Sequence, residues 1–133
     1  MTSPDFAALA AETYISLITF RKSGDAVATP VWVVGDGDRL LVTTAPHSGK
    51  VKRIAHTGRV ELTPCDMRGS ITEGAETVAA TASVRSDAET LDAMHVALKK
   101  KYGAKYSAIR LAQKLRGTAD QSVAVELRPD PAV

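Results

Sequence analysis

The sequence predicts a mainly β protein, with six antiparallel strands curled into a closed or partly closed barrel and helices at its periphery. Three observations lead there. Short runs rich in β-branched and aromatic residues recur along the chain: "TYISLITFR" (13–21), "AVATPVWVV" (26–34), "RLLVTT" (39–44), "RVELTP" (59–64), "TVAATASVRS" (77–86) and "SVAVEL" (122–127). The first three are separated only by Lys22-Ser23-Gly24-Asp25 and by Gly35-Asp36-Gly37-Asp38, turns that join antiparallel neighbours and read as a meander. One face of each strand is apolar, and curling the sheet on itself buries those faces while removing exposed edges.

The remaining elements follow in order. "SPDFAALAAE" (3–12) is a short helix, with Ser3 as cap, Pro4 at the first helical position and Asp5 complementing the dipole. Pro30 interrupts the second strand, which makes that position an edge, a bulge or a place where a ligand replaces the neighbouring strand. A helix over 48–56 has Ser48 as cap and Gly58 beyond its end. "CDMRGSITEGAE" (65–76) is a polar loop. Asp87 opens a helix that runs to about Lys101, with acids early, lysines late and Gly103 past its end. "SAIRLAQKLRG" (107–117) is a further helix before the last strand.

A chain of 133 residues suits one domain spanning 1–133. At that size a fold buries about two-thirds of the surface of the unfolded chain. The 17 basic and 15 acidic residues leave a net charge of +2, too balanced for a domain that grips nucleic acid. Cys65, the only cysteine, can form no internal disulfide and offers no zinc spacing. The three histidines, His47, His56 and His95, share no metal spacing with a carboxylate cluster. No apolar run approaches the roughly 20 residues of a membrane span. The acidic N-terminal segment is not a signal peptide, so the expected location is cytoplasmic, without membrane attachment.

One segment breaks an electrostatic rule. In "TTAPHSGKVKRIAHTGR" (43–59), Lys50, Lys52 and Arg53 crowd the start of a helix. Cations there oppose the helix dipole at roughly 0.3–1 kcal/mol each. Thr43, Thr44 and Ser48 add hydroxyls and the turn adds backbone N–H groups, the ingredients of a phosphate site. The plainer reading is a solvated basic face with Val51 and Ile54 turned inward.

"LVTTAPHSGKVKRIAHTGRVEL", following "VATPVWVV", resembles the flavin-binding split-barrel family typified by pyridoxamine 5'-phosphate oxidase. More closely it is similar to the actinobacterial branch of deazaflavin-dependent enzymes. In that family a strand ends in a hydroxyl residue, a short turn follows, and Ser-x-Lys opens a helix leading into an "R-V" strand. Thr44, Ser48, Lys50 and "TGRV" (57–60) occupy those positions, and the likeness spans about 5–128. The resemblance implies a six-stranded antiparallel split β-barrel of Greek-key type. It implies that Thr44, Ser48 and Lys50 hold a cofactor phosphate, and that the strand through Thr29, Val31, Trp32 and Val33 lies along the ring system. It also implies a homodimer with the cofactor cleft at the subunit interface. The oxidases commonly carry Arg immediately before the lysine, where this chain has Gly49, and the extra cations here are Lys52 and Arg53. That departure favours the deazaflavin coenzyme F-420, with its long acidic tail, over FMN.

Other candidates are weaker. Trp32 and Tyr14 can stack on a ring or simply fill core; His47 and Arg68 can reach an anion or stand exposed. "LKKKYGAKY" (98–106) reads as a solvated basic helix end. The sequence shows no paired carboxylates and no Ser-His-Asp order. Such a site fits hydride transfer, where the cofactor carries the chemistry. The expected activity is therefore a deazaflavin-dependent oxidoreductase acting on a small, conjugated organic substrate. The alternatives are an FMN-dependent oxidase or reductase, and a non-catalytic module that binds a flavin-like ligand. No residue stands out as proton donor.

Overall fold

Gly24 and Gly37 adopt left-handed backbone, φ 93° and 64°, and the chain reverses direction at both. These turns organise the first half of the computed structural model, which describes residues 4–115 and 122–130. In chain order the elements are α1 (Pro4–Ala8) with a 3-10 turn (Leu9–Ala11), β1 (Tyr14–Phe20), β2 (Ala26–Trp32), β3 (Val34–Asp36) and β4 (Arg39–Thr44). They continue with α2 (Gly49–His56), β5 (Arg59–Cys65), β6 (Val78–Arg85), α3 (Ala88–Tyr102), α4 (Ala104–Leu115) and β7 (Val123–Pro129). The strands form one antiparallel sheet in the order β2-β1-β5-β6-β7-β4-β3.

The sheet has seven strands, not the expected six, and it is an open half-barrel, not a closed barrel. The extra strand arises at Val33. The stretch expected as one strand over 26–34 divides there, because side chains from the end of α3 take the peptide groups that a ladder would use. The Val33 N–H donates to the Tyr102 hydroxyl at 3.0 Å, and the Val33 carbonyl accepts from Lys101 Nζ at 2.5 Å. Lys101 also donates to the carbonyls of Ala10 and Glu12, at 2.9 and 2.5 Å. Lys101 and Tyr102 are thus half-buried fasteners, whereas the sequence suggested a solvated helix end. Past this corner the chain passes from one edge of the sheet, β2, to the other, β3. The meander is correspondingly broken: β2 pairs with β1, and the short β3 forms the hairpin with β4.

Alternation along the strands sorts two cores. Leu40 and Val42 of β4 face the inside of the curl with Ile15, Leu17, Val60, Leu62, Val125 and Leu127. Leu41 and Val34 face outward onto Met94 and Leu98 of α3 and Tyr106 of α4. Fully burying such a side chain contributes about 1.5–3 kcal/mol. Helix α2 drops Ile54 into the inner core. Gly58 is required just after it, since a Cβ there would lie 2.8 Å from the Ala82 carbonyl oxygen. Asp87 caps α3 as the sequence indicated, and hydrogen bonds from Thr90 draw its carboxyl down to about 2. Helix α4 begins at Ala104, earlier than expected; its expected end at Gly117, like the Ser3 cap, lies outside the described residues. Cys65 is buried, and burial, followed by the charge of Asp66, pushes its thiol pKa up. Among the described residues no helix is long and apolar enough to cross a membrane.

On the outer face of β7, Glu126 is only 5% exposed yet charged. It accepts hydrogen bonds from Arg39 (2.7 Å), Arg128 (2.8 Å) and Arg85 (3.3 Å), tying together β4, β6 and β7. Burial alone would raise its pKa, but the hydrogen bonds from Arg128 and Arg39 hold it below the ordinary 4.5. A depressed carboxylate stabilises the fold above its unfolded pKa, and that stabilisation is lost as pH falls through the folded value. Glu126→Gln is therefore expected to lower stability at pH 7 by about 2–3 kcal/mol, with the deficit shrinking in urea unfolding series taken below pH 4.5. Tyr102→Phe leaves the Val33 N–H without its acceptor; the same assay should show a loss of about 1–3 kcal/mol at neutral pH.

Candidate functional site

The residues that the sequence singled out divide between three places. Thr29, Val31 and Trp32 of β2, Thr43 of β4 and Lys50 in the first turn of α2 form one wall of a cleft of about 230 Å³. Pro30 sits among them; β2 is an edge strand, where a missing N–H is tolerated. Thr44 and Ser48 lie in the turn before α2, where the Thr44 hydroxyl donates to Ser48 Oγ at 3.1 Å. Ser48 Oγ in turn accepts from the Val51 N–H at 3.3 Å, the expected cap. Lys52 and Arg53 point to the other flank of α2. They line a separate hollow of about 220 Å³ with Phe20, Arg21, Lys22 and His56. Arg53 is fixed there by a 2.6 Å hydrogen bond from its Nε to Thr19 Oγ1.

Gly49 has a local purpose. A Cβ at this position would fall 2.7 Å from an Arg53 guanidinium nitrogen, so the glycine leaves room for Arg53 to fold back along the helix. Val33 does not reach the cleft: its side chain is fully buried in the inner core and its peptide groups are held by α3. His47 and Arg68 are exposed and do not line the cleft. Tyr14 lies opposite Trp32 in the ladder, away from the cleft lining.

The second wall was not legible from the sequence. It comes from His95 of α3 and from Tyr106, Ile109, Arg110 and Gln113 of α4. The α4 residues fall at i, i+3, i+4 and i+7, one face of a helix, and that stripe is the signal that could have found them. Trp32 is held rigid in the first wall, its indole stacked on the Tyr102 ring at 4.1 Å and 8°. Across the cleft, His95 Nδ1 and the Tyr106 hydroxyl are joined by a hydrogen bond.

Electrostatically the cleft is one-sided. Lys50, Arg110 and His95 line it, and among the described residues no carboxylate does. Lys50 is half-buried with neither an ion-pair nor a hydrogen-bond partner among the described residues. Burial, followed by repulsion from Arg53, lowers its pKa below the ordinary 10.5. A cation so placed, beside the N–H groups of a helix start, has the chemistry to receive an anion such as a phosphate ester.

A family model described as pyridoxamine 5'-phosphate oxidase matches residues 5–130. The chain belongs to the pyridoxamine 5'-phosphate oxidase family. Solved structures share the fold of this family member at low identity. An F-420 reductase is 17% identical with a TM-score of 0.65, covering 97% of this chain and 96% of its own. The heme storage protein HutZ of Vibrio cholerae is 14% identical with a TM-score of 0.67, covering 98% and 92%. A conserved hypothetical protein of Mycobacterium tuberculosis is 16% identical with a TM-score of 0.68, covering 95% and 83%. Among curated proteins no sequence matches.

The depressed Lys50 pKa gives this family member a pH signature. Its charge is lost at lower pH than that of an ordinary lysine, so anion affinity should decline earlier as pH rises. Sulfate, whose own charge is constant in this range, is the suitable probe. Its affinity, read from Trp32 fluorescence, is expected to fall as pH rises toward 10.5 in the wild type and to stay level in Lys50→Arg.

Proposed function

We propose that this protein is a deazaflavin-dependent oxidoreductase that reduces a small, conjugated organic substrate with coenzyme F-420. The observation that carries the reading is Lys50, a half-buried cation set at the start of α2 in a cleft walled by Trp32, with no acidic partner and no lining carboxylate among the described residues. Membership of a family that includes oxidoreductases and binds flavins such as FMN supports it, as does the shared fold of an F-420 reductase.

The bound coenzyme supplies the hydride; the chain supplies position and charge. Lys50 and the N–H groups at the start of α2 hold the phosphate, with Thr43, Thr44 and Ser48 shaping the turn around it. Thr29, Val31 and Trp32 present edge-strand backbone and an indole to the ring system. Arg53 lies close enough to Lys50 to repel it and lines the adjoining basic hollow with Lys52. A ligand whose anionic tail continues beyond its phosphate meets both cleft and hollow, which favours the longer coenzyme over FMN. The cleft, about 230 Å³, falls short of the roughly 300–1,000 Å³ of a site enclosing a drug-sized ligand. A second copy closing it gives a homodimer with its site at the interface, working in the cytoplasm.

FMN is the rival within the same family, and a yellow purified protein would favour it. Storage without turnover is the other, on a fold that also houses a heme storage protein. Titration of the purified protein with F-420 and with FMN, following Trp32 quenching, separates them. The proposal expects tighter binding of F-420 and a loss of about tenfold or more in Lys50→Ala, the size of a hydrogen bond to a charged group. Failure of both coenzymes to bind below about 1 mM, or an unchanged affinity in Lys50→Ala, would overturn it.

A further inference from the structure

Reduction by hydride also consumes a proton, and the cleft contains few groups able to give one. Lys50 is engaged with the anion, and Arg110 does not release its proton. Thr29, Thr43 and Ser122 carry aliphatic hydroxyls, and Gln113 an amide, all far too weakly acidic. Among the described residues that leaves His95 and Tyr106, which are hydrogen-bonded to each other on the wall facing Trp32.

We propose that Tyr106 delivers the proton that accompanies hydride transfer, and that His95 resupplies it from solvent. This inference rests on the hydride-transfer reading of the cleft. A hydride reaching the electron-poor end of a conjugated acceptor leaves a negative charge at its other end. The Tyr106 O–H bond then breaks, a bond from hydrogen to that charged atom forms, and the electron pair stays on the tyrosine oxygen. His95 passes its Nδ1 proton to the phenolate while Nε2 takes one from water. The ring regains its first tautomer by exchange with solvent, which its half-buried position permits.

The surroundings of the pair fit those roles. Burial raises the Tyr106 pKa and the Arg110 charge opposes the rise, so the phenol stays protonated at rest beside a cation that steadies the phenolate. Burial, then Arg110, lowers the His95 pKa against the pull of Asp92. A neutral His95 moves a proton by changing tautomer without first becoming charged. Tyr106 itself is locked in place, packed with Met94, Leu98 and Leu41.

The hydrogen bond also ties α3 to α4, and the test must separate that role from proton delivery. Nitrogen-15 NMR of the ligand-free wild type reads the tautomer of His95 directly. The proposal requires Nδ1–H donating to Tyr106, so that the phenol proton is free to face the cleft, and a shift of that signal in Tyr106→Phe. An Nε2–H tautomer, with Tyr106 donating to His95, overturns it. In the loaded enzyme, with menadione as acceptor, Tyr106→Phe should lose about 100-fold in kcat. Its F-420 affinity should change by less than about twofold, separating chemistry from binding. Undiminished turnover in that variant also overturns the proposal. A wild type that binds neither F-420 nor FMN defeats the hydride-transfer reading instead, and the tautomer still decides the direction of the pair.

Discussion

The peptide groups of Val33 are held by the Tyr102 hydroxyl and the Lys101 ammonium instead of by a neighbouring strand, and the rest of the cleft depends on that substitution. It ends β2 after Trp32 and lets the chain cross to the opposite edge of the sheet. The same contact docks the end of α3 and stacks Tyr102 on Trp32. With α3 fixed, His95 and the α4 residues that follow it fall opposite β2. One bulge-like corner therefore creates an edge strand, a rigid indole and the second wall together. Bulges and strand breaks recur next to functional sites because they re-aim side chains without loss of the sheet.

Charge is divided on either side of that frame. The outer face of β7 satisfies its buried carboxylate, Glu126, with three arginines, so cations there belong to the structure. Lys50 has no such answer among the described residues, and its position at a helix start compounds the cost. A half-buried cation with no partner among the described residues is suited to bind an anion. Arg53, near enough to Lys50 to lower its pKa, lines the adjoining basic hollow, so in the proposed function ligand length is the feature that separates the two coenzymes.

Much of the fold was legible in the sequence because its signals are local. The Gly24 and Gly37 turns, the Ser48 and Asp87 caps and the β-branched runs each act within a few residues. The break at Val33 was not legible, since it is imposed by Lys101 and Tyr102, 68 and 69 residues away. The same distance hid half the cleft. Thr29, Trp32, Thr43 and Lys50 belong to a compact strand-turn-helix pattern, whereas His95 and Tyr106 acquire their place only when α3 docks. Lys52 and Arg53 show the converse limit: Lys52, two positions on, points away from Lys50 by helical geometry, and Arg53, though three positions on, is drawn to the other hollow by its hydrogen bond to Thr19.

A crystal structure with F-420 bound tests the central claim most directly. The phosphate should lie about 2.7–3.2 Å from Lys50 Nζ and from N–H groups at the start of α2. The ring should lie in the cleft beside Trp32. A phosphate seated away from Lys50, with the cleft left to solvent, would contradict the account.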